Sequence, residues 1–103
     1  MSLLVNNYDV SQGDNSWSDK VSVTDGYTSF QIIANGLDAS DLEVKIQYSN
    51  NNTNFNDVPN LSQVLPAGDS NVNFNLNTVT HRYYKVVVTV NSATSGTITI
   101  AIP

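Results

Sequence analysis

Apolar residues along this chain recur at every second position. Leu42, Val44, Ile46 and Tyr48 alternate with Glu43, Lys45, Gln47 and Ser49. Val72, Phe74 and Leu76 alternate with Asn71, Asn73 and Asn75, and Tyr84, Val86, Val88 and Val90 with Tyr83, Lys85, Val87 and Thr89. Near the end, Ile98, Ile100 and Ile102 alternate with Thr97, Thr99 and Ala101. Trp17, Val21 and Val23 share a parity, as do Phe30 and Ile32. A half-buried antiparallel strand requires this period, because successive side chains point to opposite sheet faces. Apolar residues nowhere recur at helical spacing over two turns, so almost no helix is expected.

The segments between these runs carry turn chemistry. Asp25-Gly26, Asn35-Gly36, Ser49 to Asn54, Pro59-Asn60, Pro66 to Asp69 and Ser92 to Gly96 fall between alternating stretches. Gly and Asn accept positive φ at low cost, and Asn and Asp side chains bond their own backbone in turns. The predicted strands are 3–10, 17–24, 27–34, 42–49, 55–58, 61–65, 71–77, 82–90 and 96–102. Short alternating strands with frequent turns describe one antiparallel β-sandwich over residues 1–103, of jelly-roll or immunoglobulin-like topology. Its core is expected to hold Trp17, Phe30, Ile32, Val44, Ile46, Tyr48, Phe74, Leu76, Tyr84, Val86, Val88, Ile98 and Ile100.

Composition changes the picture of the surface. Of 103 residues, 36 are Asn, Ser or Thr, and only 13% are charged. Placed on the alternation, these polar residues occupy outward strand positions and turns, where Thr and Asn are favoured. An uncharged hydrogen-bonding surface also suits contact with protein subunits or a sugar, because burying full charges is costly. The net charge of −5 argues against nucleic acid, whose binding needs Lys and Arg to displace counterions. No apolar run approaches the ~20 residues of a membrane-spanning helix. The N-terminus shows no export signal, so the chain is expected to be made, and to be soluble, in a cytoplasm.

Candidates for chemistry are few. The chain has no Cys, which excludes a disulfide framework, a Cys-based zinc site and thiol catalysis. His81 is the sole histidine. A hydrolase would need it beside a Ser and an Asp, yet no Gly-x-Ser-x-Gly elbow occurs. Asp38 to Asp41 and Asp9 to Asp14 offer hard oxygens of the kind calcium prefers, but neither carries the spacing of a calcium-binding loop. Glu43 lies on a polar strand parity, with nothing marking a paired catalytic carboxylate. No enzyme activity, metal or cofactor is expected. The matches Asn51-Asn52-Thr53 and Asn60-Leu61-Ser62 to the glycosylation pattern are as frequent as chance in so Asn-rich a chain.

Binding is better supplied. Tyr83 and Tyr27 fall on outward parities, and an exposed aromatic can stack on a sugar ring or anchor a protein interface. The terminal segments are apolar: Leu3 and Leu4 at one end, Ile98 to Ile102 at the other. At a sheet edge they would pair or pack with a neighbouring chain. Tyr83, Tyr27, Leu3, Leu4 and Ile102 are therefore the candidate interaction residues.

Several short motifs occur in a particular order. Trp17-Ser18-Asp19 with Val21 and Val23 is followed by Tyr27, Ser29, Phe30, Gln31 and Ile32. Leu42, Val44, Ile46 and Gln47 then lead into Ser49-Asn50-Asn51 with Phe55 and Val58, and Arg82-Tyr83-Tyr84-Lys85-Val86 precedes Ser95-Gly96-Thr97-Ile98. That order, over residues 17–100, resembles small β-sandwich proteins of tailed bacteriophages that decorate the head, form head fibres or sit in the tail. The resemblance implies a non-enzymatic virion structural protein that oligomerises and binds other virion subunits such as the major capsid protein. It implies no catalytic residues. The alternative reading is a carbohydrate-binding module, free or used by a virion to touch host glycans.

Overall fold

Period-two patterning becomes eight antiparallel strands. The computed structural model describes residues 2–21 and 26–103. Its strands are β1 (Ser2–Asp9), β2 (Asn15–Lys20), β3 (Thr28–Leu37), β4 (Leu42–Ser49), β5 (Asn56–Leu65), β6 (Gly68–Leu76), β7 (Tyr83–Thr89) and β8 (Thr97–Ile102). One 3₁₀ turn, Val10–Gln12, follows β1, with the Asp9 side chain accepting from the Ser11 N–H at its start.

The pairing is nested. β4 pairs with β5, β3 with β6, β2 with β7 and β1 with β8. The chain is in effect one long hairpin, rolled so that β3 also meets β8 and β4 also meets β7. Two four-stranded sheets result, ordered β1-β8-β3-β6 and β2-β7-β4-β5. Of the two topologies that alternation allows, this is the jelly roll.

Two predicted segments, 55–58 and 61–65, are one strand, β5. Pro59 and Asn60 do not end it because β5 is a sheet edge, where a missing N–H costs no ladder bond. Asn60 sits at φ 66°, and a register shift opposite Lys45 and Gln47 absorbs the irregularity as a bulge. The predicted strand 17–24 starts earlier, at Asn15, and is described only to Lys20. Val23 lies outside the described residues.

The core forms where inner faces meet. Phe30, Ile32, Ala34, Ile98 and Ile100 of one sheet face Val44, Ile46, Tyr84, Val86 and Val88 of the other, all buried. Trp17 and Tyr48, expected inside, are only partly buried. Trp17 belongs to the edge strand β2 and packs edge-on against Tyr8, with ring centroids 4.9 Å apart, which closes the side of the sandwich where β1 and β2 meet. Val10, Leu37, Leu65, Val79 and Ala93 complete the core from strand ends and connections. Alternation does not mark such positions, since each stands alone beside a turn.

Gly96 shows how tightly one of those ends closes. It has φ +117°, and a Cβ there would lie 2.8 Å from Leu37 Cδ2 and 3.0 Å from the carbonyl oxygens of Asn35 and Gly36. Its own carbonyl accepts from the Val10 N–H at 3.0 Å, tying the 3₁₀ turn to the start of β8.

Tyr84 joins the core to the connection before it. Its ring is fully buried, 6.3 Å from Phe30 across the sandwich, and its hydroxyl accepts from the Thr80 N–H at 3.2 Å. Tyr84→Phe should therefore cost about 1 kcal/mol, the worth of one hydrogen bond. Tyr84→Ala should cost about 3–5 kcal/mol, the range for deleting a buried aromatic ring. Urea unfolding measures both, and equal losses would show that the ring and hydroxyl do not contribute separately.

Candidate functional site

The outward rows of the first sheet are built from amides and hydroxyls. In antiparallel pairs, directly opposed residues share a face. Ser29 stands opposite Asn75, Gln31 opposite Asn73 and Ala101, and Ile33 opposite Asn71 and Thr99. Leu3 extends the middle row beyond Ala101. Gln31 Nε2 donates to Asn71 Oδ1 at 3.2 Å, and Thr99 Oγ1 accepts from the Asn7 N–H at 3.0 Å. These three rows carry no charged side chain.

At one end of these rows stands Tyr27, 64% exposed. It lines a groove of about 450 Å³ together with Asp19, Lys20, Val21, Thr28, Ile102 and Pro103. Tyr27, Ile102 and Pro103 also border a shallower depression of about 320 Å³ that runs onto Ser29, Gln31, Asn73 and Ala101. The two are continuous through shared residues. One exposed aromatic ring thus stands where a groove at the sandwich end opens onto an uncharged amide face. Volumes of this size suit a small ligand or one stretch of a polymer.

Tyr83 lies elsewhere, on the outer face of the second sheet. It opposes Lys20 on β2 and Ser49 on β4. In the next row Lys85 opposes Ser18 and Gln47. Lys85 Nζ sits 4.0 Å from the centre of the Phe55 ring, and Gln47 Nε2 donates to Asp57 at 2.8 Å. Asp57 also pairs with Lys45 at 3.3 Å, and its carboxyl is held below the usual range chiefly by the bond from Gln47.

The five residues chosen from the sequence therefore separate. Tyr27 and Ile102 share the groove, and Leu3, 50% exposed, extends the amide face beside it. Leu4 falls at a bulge of β1 and packs partly against the core. Tyr83 is on the opposite sheet and half-buried. Gln31, Asn73 and Asp19 are not among the interaction residues the sequence proposes, although the outward parity of Gln31 and Asn73 is readable from the alternation. Nothing in the sequence placed Asp19 next to Tyr27, because they meet only when β2 and β3 end at the same edge of the sandwich.

The acidic loops and His81 serve the fold. Asp38 accepts from the Thr94 hydroxyl and from the backbone N–H groups of Thr94 and Ser95, at 2.8 and 3.2 Å for the last two. Asp41 accepts from the hydroxyl and N–H of Ser92, while Asn91 Nδ2 donates to the Asp41 carbonyl at 2.7 Å. The β3–β4 turn thereby clamps the β7–β8 connection with neutral donors. Asp9 and Asp14 are likewise engaged, by the N–H groups of Ser11 and Val90. Among the described residues no three acidic or histidine side chains converge as a metal would require. His81 stacks on Tyr48 at 3.9 Å and shares a hydrogen bond of 2.7 Å with the Thr80 hydroxyl.

Comparison with known proteins adds the fold alone. No family model matches the chain, and no curated relative matches it. A solved structure described as "CBM4 structure and function" is similar over 86% of this chain, with a TM-score of 0.57 and 14% identity. This chain spans 59% of that structure's length.

The Asp38 clamp makes a pH prediction. The Thr94 hydroxyl first, then the N–H groups of Thr94 and Ser95, lower the Asp38 pKa from 3.8 to about 2. A carboxyl more acidic when folded stabilises the fold above its unfolded pKa, and that contribution is lost as pH falls through the folded value. Between pH 4 and pH 2 the clamp should release, with exchange protection at Thr94 and Ser95 declining before that of β7 and β8. Carboxyl NMR should place the Asp38 midpoint near 2, and a midpoint at or above 4 would rule the clamp out.

Proposed function

We propose that this chain is a non-enzymatic binding module that recognises carbohydrate through the Tyr27 groove and the amide rows of the first sheet. The observation that carries this reading is the exposed Tyr27 ring where the groove meets three rows without a charged side chain. A sugar ring offers an apolar face to stack on an aromatic and hydroxyls that both donate and accept. Asn and Gln side chains match that dual demand, having both a carbonyl and an NH₂ group. Because no charge is present in the three rows, that part of the surface meets a neutral ligand without desolvating an ion, and charge enters only at Asp19 and Lys20 in the groove. The likeness in fold to a structure described as CBM4, a carbohydrate-binding module, supports the same reading.

A second reading has its own observation. Leu3 lies half-exposed on the edge strand β1, the most exposed apolar side chain of those rows, which also hold Ile33 and Ala101. It suits contact with another subunit, as in the phage virion proteins the motifs resemble. On this reading the chain is a virion component made in the host cytoplasm, contacting the major capsid protein or its own copies. Capsid or tail genes beside its gene, and the protein in purified particles, are the expected observations. A gene set and particles containing neither sink it.

The carbohydrate reading is tested by glycan-array screening followed by calorimetry on the best neutral oligosaccharide. Tyr27→Ala should weaken binding about fivefold to tenfold, the worth of one stacked ring. The melting temperature should stay within a degree or two, since surface substitutions cost little. Absence of binding to any neutral glycan, or undiminished binding by Tyr27→Ala, would overturn it.

A further inference from the structure

The charges of this molecule are unevenly partnered. Its carboxylates are mostly engaged by neutral donors: Asp38 and Asp41 by the β7–β8 connection, Asp9 and Asp14 by backbone N–H groups, and Asp69 by the Gly36 N–H at 2.9 Å. Among the described residues only Lys45 forms an ion pair, with Asp57. Lys20, Arg82 and Lys85 have no acidic partner there, and all three gather around Tyr83. Lys20 stands directly opposite it, Lys85 follows two residues along the same face of β7, and Arg82 precedes it in the chain. Beside them Lys85 covers the Phe55 ring. A protein of net charge −5 thus places two unpaired cations, Lys20 and Lys85, and two aromatic rings on one sheet face, with Arg82 just before β7 at its end.

We propose that this face binds an acidic polysaccharide, with Tyr83 and Phe55 against sugar rings and Lys20, Arg82 and Lys85 at the carboxylate or sulfate groups. Cross-strand neighbours lie about 5 Å apart and alternate residues along a strand about 7 Å apart, so the cations are spaced on the scale of single sugars. Asp57 shares the row of Lys85 but is held two strands away by Lys45 and Gln47, and charges beyond about 8–10 Å are screened at physiological salt. Duplex nucleic acid fits worse. It presents a charge every ~1.7 Å and needs many neutralising contacts, whereas this face supplies only Lys20 and Lys85, with Arg82 at its end. The surface is separate from the amide face of the first sheet. Lys20 alone borders both, and the test therefore leaves it unchanged.

The experiment is calorimetry of the intact chain with polygalacturonate, with its fully methyl-esterified form, and with chondroitin sulfate, at 50 and 300 mM NaCl. Retention of at least one acidic polymer is expected, weakened about tenfold or more at the higher salt, with no binding of the esterified chain. Lys85→Gln should weaken binding about threefold to fivefold. Lys45→Gln, which removes a cation already paired to Asp57, and Tyr27→Ala should leave it unchanged. Circular dichroism of each variant checks the fold. Binding neither acidic polymer, binding the esterified form equally, or equal effects of Lys45→Gln and Lys85→Gln would overturn the proposal. Equal affinity for a 20-base-pair duplex would overturn the saccharide assignment. Loss of neutral-glycan binding in Tyr27→Ala, with this site intact, separates the two surfaces.

Discussion

The interdigitation of four central strands is the constraint on which the rest of the molecule depends. β3 and β8 present Phe30, Ile32, Ala34, Ile98 and Ile100, and β4 and β7 present Val44, Ile46, Tyr84, Val86 and Val88. Each strand must keep strict alternation, because a slip of one residue would send every apolar side chain to solvent. Nesting follows from that requirement. With β4–β5 as the innermost hairpin and β1–β8 as the outermost pair, only rolling brings β3 to β8 and β4 to β7. Such pairings join residues far apart in sequence, which loop-closure entropy penalises before contacts reward it. The polar clamps at the strand ends, Asp38 and Asp41 on the β7–β8 connection, hold the last of these pairings in place.

With the core committed to the inner faces, function is left to outer faces and ends. The two outer faces differ in chemistry. One bears mainly amides, hydroxyls and a few apolar side chains, with no cation; the other bears every cation of the chain except for Arg82, which sits just before β7. This division arises because a strand gives each sheet only alternate residues, so the Asn positions of β6 and the Lys positions of β4 and β7 cannot mix. A single small fold can in this way offer a neutral ligand and an anionic one different surfaces, without a deep cleft.

Much of this was legible beforehand. The strands 42–49, 82–90 and 96–102 match β4, β7 and β8 to within a residue at each end, because uninterrupted alternation leaves one reading, whereas β6 begins at Gly68, inside the segment read as a turn. The core positions Phe30, Ile32, Val44, Ile46, Phe74, Leu76, Tyr84, Val86, Val88, Ile98 and Ile100 are all buried. Pro59 misled because proline breaks a strand only where its N–H is needed, and edge or centre is not written in local sequence. Trp17 and Tyr48 misled for a related reason: parity points a side chain inward but does not say whether a partner strand covers it. Of the surface residues, the outward parity of Tyr27 could be read from the alternation, whereas that of Leu3, within the run Leu3-Leu4-Val5, could not.

The sequence by itself determined the class of fold, the inner and outer face of each main strand, and the poverty of catalytic and metal-binding groups. Those follow from local alternation and residue type, which need no knowledge of distant contacts. The tertiary structure alone decided the jelly-roll order, the meeting of Tyr27 with Ile102, and the placing of Lys20 opposite Tyr83. Each of these depends on which strands become neighbours. That choice is made by the whole set of nested pairings, whose energy is shared among residues as far apart as Ser2 and Ile102.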